Sequence, residues 1–187
     1  MIDQVLMHQG MGLEAYNALP TRRAVHAVYE CCYSVVLATD LAGGRPYADH
    51  AALFRQADAL LFSLGEDSID RVLQAYPHIG RRPRSQKSIC EQCSVWDDDP
   101  AVMAQLNSQV RKYAERFGFG FVMFVEDGAA AAATTGAGCA HRVMAGIVDR
   151  LHNDRETERK VVRNELARIN RARLERMLGP EGGYYNW

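Results

Sequence analysis

Three features are missing from this sequence of 187 residues: a long apolar run, a strong net charge and an even set of cysteines. No stretch of about 18 apolar residues occurs, so the sequence predicts no membrane span. The formal net charge is -1, which gives no global attraction to nucleic acid or to a membrane surface. Basic and aromatic residues are not interleaved as in a nucleic-acid groove. We therefore expect neither nucleic acid nor a membrane as a partner.

Cysteine is sparse, and its number is odd. Five cysteines in a chain of this length do not predict a disulfide framework. The segment from Met1 to Gly12 also lacks the basic start and apolar run of a secretory signal. We therefore expect a cytoplasmic protein. The length suits one domain with a sizeable core, which we place over residues 1–180, followed by a flexible C-terminal tail over 181–187.

Apolar residues at helical spacing dominate what the sequence does contain. The clearest stripe runs from Val102 to Phe117, after Pro100 at a first helical position and before a stop at Gly118. Thr21, Asp49 and Asp154 are good N-cap residues for further helices. The apolar run at 119–125 fits either a strand or a buried helical turn. The prediction is an all-α, single-domain helical bundle of about seven or eight helices.

The stretch of 73–93 is the candidate functional site, because ionisable side chains flank a break between two helices. Pro77 ends the first helix near Tyr76, and the second begins near Ser88. The loop between them carries four cations, Arg81, Arg82, Arg84 and Lys87. These cations form either a solvated face or a pocket for an anionic substrate. The side chains that can converge there are Tyr76, His78, Glu91 and Gln92.

Each of these features also has a purely structural interpretation. Glu91 follows Ser88 by three residues, so it fits the last position of a capping box. Arg150 ends a predicted helix, where a cation interacts favourably with the helix dipole. Cys90 and Cys93 form a single CxxC motif. A structural zinc site needs four ligands, and a redox pair needs a βαβ context. We therefore expect free thiols and no metal. A zinc or redox protein is the hypothesis that we rank last.

Several short motifs follow one another in a fixed order along most of the chain. They are Tyr16-Asn17-Ala18-Leu19-Pro20, Cys31-Cys32, Arg45-Pro46-Tyr47, Ala75-Tyr76-Pro77-His78-Ile79-Gly80, Glu91-Gln92, Leu106-Asn107, Phe117-Gly118-Phe119-Gly120-Phe121, and Arg150-Leu151-His152-Asn153 followed by Glu156 and Glu158. Together they resemble the family of 2-oxo-4-hydroxy-4-carboxy-5-ureidoimidazoline (OHCU) decarboxylases of the urate-to-allantoin pathway. The resemblance implies an all-α bundle that forms a homodimer and uses no cofactor.

The resemblance also implies roles for individual residues. Glu91 matches the family's catalytic glutamate, and Gln92 its neighbour. The implied substrate-binding side chains also include Ser88 and Arg150. Backbone of the stretch that contains Phe119 and Phe121 lines the family's pocket, although Gly120 here replaces a proline.

The main departure from the family is Tyr76. It stands where the family has the catalytic histidine of an Ala-His-Pro motif, before Pro77, which we include among the substrate-binding residues. A tyrosine has an ordinary pKa near 10, so it is a poor base at neutral pH. Histidine is the usual proton-transfer side chain. The catalytic candidates are therefore Glu91, His78 and Tyr76.

The implied reaction removes a carboxylate from a carbon beside a ring carbonyl. The enolate that results needs hydrogen-bond donors and a placed acid. We predict a cofactor-independent decarboxylase that acts on OHCU to give (S)-allantoin in urate degradation, or on a related small anionic or ureido-containing substrate in specialised metabolism. The alternative is a catalytically silent small-molecule-binding or scaffold protein of the same fold.

Overall fold

The computed structural model describes residues 10–76, 79, 97–125 and 139–180, and the structural statements below concern these residues. They contain eight α-helices and no strand, which confirms the predicted all-α fold. No helix within these ranges has the length and apolar character that crossing a bilayer requires. The helices are α1 (Leu13–Ala18), α2 (Thr21–Cys32), α3 (Val35–Gly43), α4 (His50–Ser63), α5 (Glu66–Ala75), α6 (Pro100–Phe117), α7 (Cys139–Arg150) and α8 (Arg155–Leu178).

Most of the predicted helix ends are found where the capping chemistry places them. The Asp49 carboxylate accepts a hydrogen bond from the Ala52 N–H at 2.6 Å, and Asp154 caps α8 in the same way. Pro100 is the first residue of α6. Gly118 ends that helix in the left-handed region, at φ 80°, where glycine has no Cβ penalty.

The start of α2 differs from the prediction, and its end was not predicted. Thr21 is the first residue of α2 and not its N-cap; Pro20 holds that position, and its carbonyl accepts the first helical hydrogen bonds. The apolar pattern continues past Cys32, but Tyr33 takes a left-handed conformation at φ 52° and ends the helix. Ser34 then caps α3 by accepting from the Leu37 N–H at 3.2 Å.

The chain divides into two compact units. The first unit holds the described residues up to Val72 and those from Leu166 onward, and the second unit runs from Leu73 to Glu165. Residues of α8 are therefore assigned to both. The single domain over 1–180 stays a prediction, and the tail at 181–187 lies outside the described residues.

In the first unit, Arg45 joins the ends of α1 and α3. Its Nε donates to the Ala42 carbonyl at 2.8 Å, and its Nη1 donates to the carbonyls of Tyr16 at 2.8 Å and Leu19 at 2.7 Å. Carbonyls at helix C-termini have no partner within the helix, and a cation there is favoured by the dipole. Two motifs that carry the family resemblance therefore meet here, where Arg45 holds the ends of two helices together.

The backbone before α1 caps the C-terminal end of α8. The N–H groups of Gly10, Met11 and Gly12 donate to the carbonyls of Arg176, Met177 and Leu178 at 2.9, 3.1 and 2.7 Å. The Glu175 carbonyl accepts from the Gly179 N–H at 2.8 Å. All four terminal carbonyls of α8, which the helix itself leaves unpaired, thus have partners.

Because of Cys32, the stability of the protein should depend on pH in the alkaline range. Burial raises the pKa of its thiol from 9.0 to about 12. Between pH 9 and 12 the folded state therefore holds a proton that the unfolded state has lost. The free energy of unfolding should fall across this window by up to about 1.4 kcal/mol per pH unit from this group.

Urea unfolding at pH 8, 10 and 11 measures this effect. Burial also raises the pKa of Tyr16 and Tyr113, so the wild-type protein alone does not isolate the thiol. Cys32→Ala provides the comparison, because only its unfolding free energy lacks the thiol contribution. We expect the variant to lose less stability than the wild type between pH 8 and 11. Parallel pH dependences would contradict the assignment.

Candidate functional site

Tyr76 directly follows α5, at the helix end that Pro77 predicts. Its side chain is buried, with 6% of its surface exposed. Of the stretch of 73–93, the structure describes residues 73–76 and 79. The other predicted site residues in it, together with both cysteines of the CxxC motif, lie outside the described residues: Pro77, His78, Ser88, Glu91, Gln92, Cys90 and Cys93.

Arg150 is the last residue of α7, as predicted, but its guanidinium does more than face the helix dipole. Its side chain is 11% exposed. Nη1 donates to the Val122 carbonyl at 2.6 Å, and Nε donates to Oε1 of Glu158 at 2.7 Å. Nη2 lies 2.6 Å from the same carboxylate oxygen and donates to the Tyr113 hydroxyl at 3.3 Å. Four of the five N–H donors that an arginine carries therefore have partners.

Glu158, in the first turn of α8, is the acceptor at the centre of this arrangement and is fully buried. Its Oε1 accepts from Arg150 and from the Tyr113 hydroxyl. Its Oε2 accepts from Nδ2 of Asn153 at 2.8 Å. A buried carboxylate is tolerated when it is paired and its lone pairs are satisfied. Both conditions hold here.

Tyr113, on α6, acts in this arrangement as a neutral donor. Burial is the main cause that raises the pKa of Tyr113 above 10.0, and the hydrogen bond to Glu158 raises it further. The hydroxyl therefore keeps its proton throughout the neutral range. It donates to Glu158 and at the same time accepts from Arg150.

Four aromatic rings surround this polar core, and we call them the aromatic cluster: Tyr113, Phe117, Phe119 and Phe121. The Tyr113 ring centroid lies 4.8 Å from that of Phe117, 6.0 Å from Phe119 and 5.0 Å from Phe121. The guanidinium of Arg150 lies 4.5 Å from the Phe121 centroid, within cation–π range. Of the predicted site residues, Phe119, Phe121 and Arg150 are thus brought together around Tyr113.

The segment of 119–125 belongs to neither a helix nor a strand, which answers the question that periodicity left open. Within the part of the chain that the structure describes, side chains rather than a neighbouring strand hold its backbone. The Val122 carbonyl accepts from Arg150 at 2.6 Å, and the Phe124 N–H donates to Glu165 at 2.5 Å. Phe119 and Phe121 are 7% and 5% exposed. Hydrogen bonds and burial therefore hold the segment in place beside Arg150.

Sequence reasoning did not assign roles to Tyr113, Asn153 and Glu158. Asn153 and Glu158 follow Arg150 closely and belong to the family motif, which was the available signal. Tyr113 is distant in sequence and fits the apolar stripe of α6, so nothing marked its hydroxyl. Within the described ranges, no group of three or more His, Cys, Asp or Glu side chains is arranged to hold a metal ion.

A family model decides where this chain belongs. The model for OHCU decarboxylase matches residues 17–175, which is most of the chain. This chain belongs to the OHCU decarboxylase family. The match spans both the stretch around Tyr76 and the Arg150 motif, and it confirms the family that the sequence motifs resemble.

Two solved structures share the OHCU decarboxylase fold with this chain. A crystal structure of (S)-allantoin synthase superposes with a TM-score of 0.67 at 16% sequence identity. The matched region covers 89% of this chain and 53% of the synthase chain. A crystal structure of OHCU decarboxylase in the presence of (S)-allantoin superposes with a TM-score of 0.64 at 17% sequence identity. The matched region covers 80% of this chain and 95% of the decarboxylase chain. The chain thus spans about half the length of the first. No curated protein matches.

Proposed function

We propose that this member of the OHCU decarboxylase family is a cofactor-independent decarboxylase that converts OHCU to (S)-allantoin, or acts on a related small anionic or ureido-containing substrate. The observation that carries the proposal is the setting of Arg150. The family resemblance gives this position to substrate binding. Here the side chain is largely buried on the aromatic cluster and fixed by Glu158. One Nη1–H has no partner among the described residues.

The ion pair limits how Arg150 binds an anion. Glu158 neutralises its charge and occupies the edge formed by Nε and Nη2, which is one of the two edges that a bidentate carboxylate can use, and Nη2 also donates to the Tyr113 hydroxyl. Arg150 therefore offers the substrate one directed donor, which suits a carbonyl or ureido oxygen. In this proposal, attraction of the substrate's carboxylate falls to the basic loop, whose four cations are Arg81, Arg82, Arg84 and Lys87.

The proposed chemistry needs an electron sink and a proton. When the carboxylate leaves as CO2, the electron pair of the broken carbon–carbon bond moves toward the neighbouring carbonyl and forms an enolate. Donors stabilise the negative oxygen, and an acid then delivers a proton to the carbon. Glu91, His78 and Tyr76 are the proposed proton-transfer groups. The substrate is held by Arg150 and the other proposed binding residues: Ser88, Gln92, Pro77, Phe119 and Phe121.

A silent binding protein of the same fold is the second candidate. Tyr76 stands in place of the family's catalytic histidine, and its ordinary pKa near 10 does not suit proton transfer at neutral pH. Such a protein would bind a ureido compound through the same binding residues and would not turn it over. Either form is proposed to be a cytoplasmic homodimer, as the family resemblance and the cysteine content indicate.

The experiment uses the full chain and freshly prepared OHCU. CO2 release and the optical activity of (S)-allantoin are followed against the uncatalysed rate, before and after dialysis with a chelator. We expect an acceleration that the chelator does not change. Calorimetric binding of (S)-allantoin without turnover would support the silent binding protein. Neither binding nor turnover would contradict both candidates.

A further inference from the structure

Glu158 stands out among the acidic residues of α8. The Glu156 side chain, two positions earlier, is 82% exposed and pairs with Lys160. Glu158 is fully buried and accepts hydrogen bonds from three different residues that come from α6, from α7 and from the turn after α7. A carboxylate with this many fixed partners determines the position of each of them.

The partner it fixes most completely is Arg150. Oε1 of Glu158 contacts both Nε and Nη2 of Arg150, which sets the plane of the guanidinium. The Tyr113 hydroxyl bonds both members of the pair, so it resists rotation of either one. With the Val122 carbonyl on Nη1, the direction of the remaining N–H is determined.

We infer that Glu158 is a positioning residue, which orients Arg150 with the help of Tyr113 so that a single N–H is presented to the substrate. The inference rests on the proposed function and adds to it a residue and a binding mode. Glu158 does not itself transfer a proton. It is fully buried, and both of its oxygens accept from fixed donors.

Glu158→Gln tests this role with little change in volume. In the variant, the amide NH2 of glutamine replaces one of the two acceptor oxygens. This NH2 donor must then face either the Arg150 guanidinium or the Asn153 amide, and both of these groups are donors themselves. We expect kcat/KM for OHCU, and affinity for (S)-allantoin, to fall by roughly 10- to 100-fold, because small misplacements of a binding group cost that much. Tyr113→Phe is the milder second variant. It keeps the ring in the aromatic cluster, removes the hydroxyl and should fold even where Glu158→Gln does not.

A double-mutant cycle separates positioning from a general structural role. The Arg150→Lys variant keeps the charge but has one ammonium group, which cannot serve Glu158 and the Val122 carbonyl with fixed geometry. In an Arg150→Lys background, Tyr113→Phe and Glu158→Gln should change kcat/KM and affinity by less than about 2-fold, since no guanidinium remains to be oriented. Glu156→Gln is the matched control and should leave both quantities unchanged in either background.

The outcomes are distinct when the values are expressed per folded protein. Losses in the wild-type background that vanish in the Arg150→Lys background support the inference. Equal losses in both backgrounds overturn it and leave the proposed function standing. A wild-type chain that neither turns over OHCU nor binds (S)-allantoin overturns the proposed function, and the inference with it.

Discussion

Arg150→Met is expected to lower the free energy of unfolding by about 3–5 kcal/mol, because it leaves the buried Glu158 carboxylate without its counter-charge. The Arg150 side chain is only 11% exposed, so solvent does little to screen the loss. Urea unfolding at neutral pH measures the effect. The variant should also loosen the segment of 119–125, which hydrogen exchange reports, since the Val122 carbonyl loses its donor.

Lys160→Met is the matched control for Arg150→Met. Lys160 also pairs with a glutamate of α8, at 2.8 Å, but its side chain is 71% exposed. Exposed pairs of this kind contribute little, so we expect no measurable change in stability. If Arg150→Met were as harmless as this control, the ion pair of Arg150 and Glu158 would not be buried in solution.

Tyr76→His is expected to raise OHCU turnover by roughly 10²- to 10⁴-fold, the usual contribution of a placed general acid or base. A histidine titrates near neutral pH and exchanges protons there, whereas a tyrosine does not. Rates of (S)-allantoin formation with fresh OHCU provide the measurement. Glu91→Ala added to Tyr76→His should remove the gain, since the family resemblance assigns a catalytic role to Glu91. A glutamate that acts only as a helix cap would cost about 1 kcal/mol of stability and no activity.

Tyr76→Phe completes this comparison. It keeps the buried ring of Tyr76 and removes only the hydroxyl. If the tyrosine already serves as the acid, Tyr76→Phe should be slower than the wild type. If His78 serves as the acid instead, Tyr76→Phe should turn over OHCU at the rate of the wild type. Wild-type turnover that neither Tyr76→His nor His78→Ala changes would show that these roles are assigned wrongly.

Local sequence signals were sufficient for much of the fold. Pro100 and Gly118 bound α6 because proline is tolerated only at a helix start and because glycine adopts positive φ without strain. The end of α2 was not predictable in this way. Tyr33 is a non-glycine residue with φ 52°, and apolar residues lie on both sides of it, in α2 and in α3. Its conformation depends on tertiary packing, which overrides local preference.

The candidate site shows the same limit more sharply. The family resemblance assigned Phe119, Phe121 and Arg150 to the site, and the structure places these side chains around Tyr113. Glu158 and Tyr113 were not given roles, because their importance comes from contacts across 45 positions of sequence. Arg45 is similar: its donors serve carbonyls up to 29 residues away. A periodic pattern reports which face of a helix is buried, but not which buried polar groups meet.

The pairing of Gly10, Met11 and Gly12 with the last turn of α8 has a consequence for synthesis on the ribosome. These N–H groups leave the ribosome well before their acceptors, the carbonyls of Arg176, Met177 and Leu178. At about 5–20 residues per second, the wait is on the order of ten seconds or more. The second unit is continuous in sequence, so it is complete earlier. The first unit cannot close until the last turn of α8 has been synthesised, and until then chaperones have access to its apolar helices.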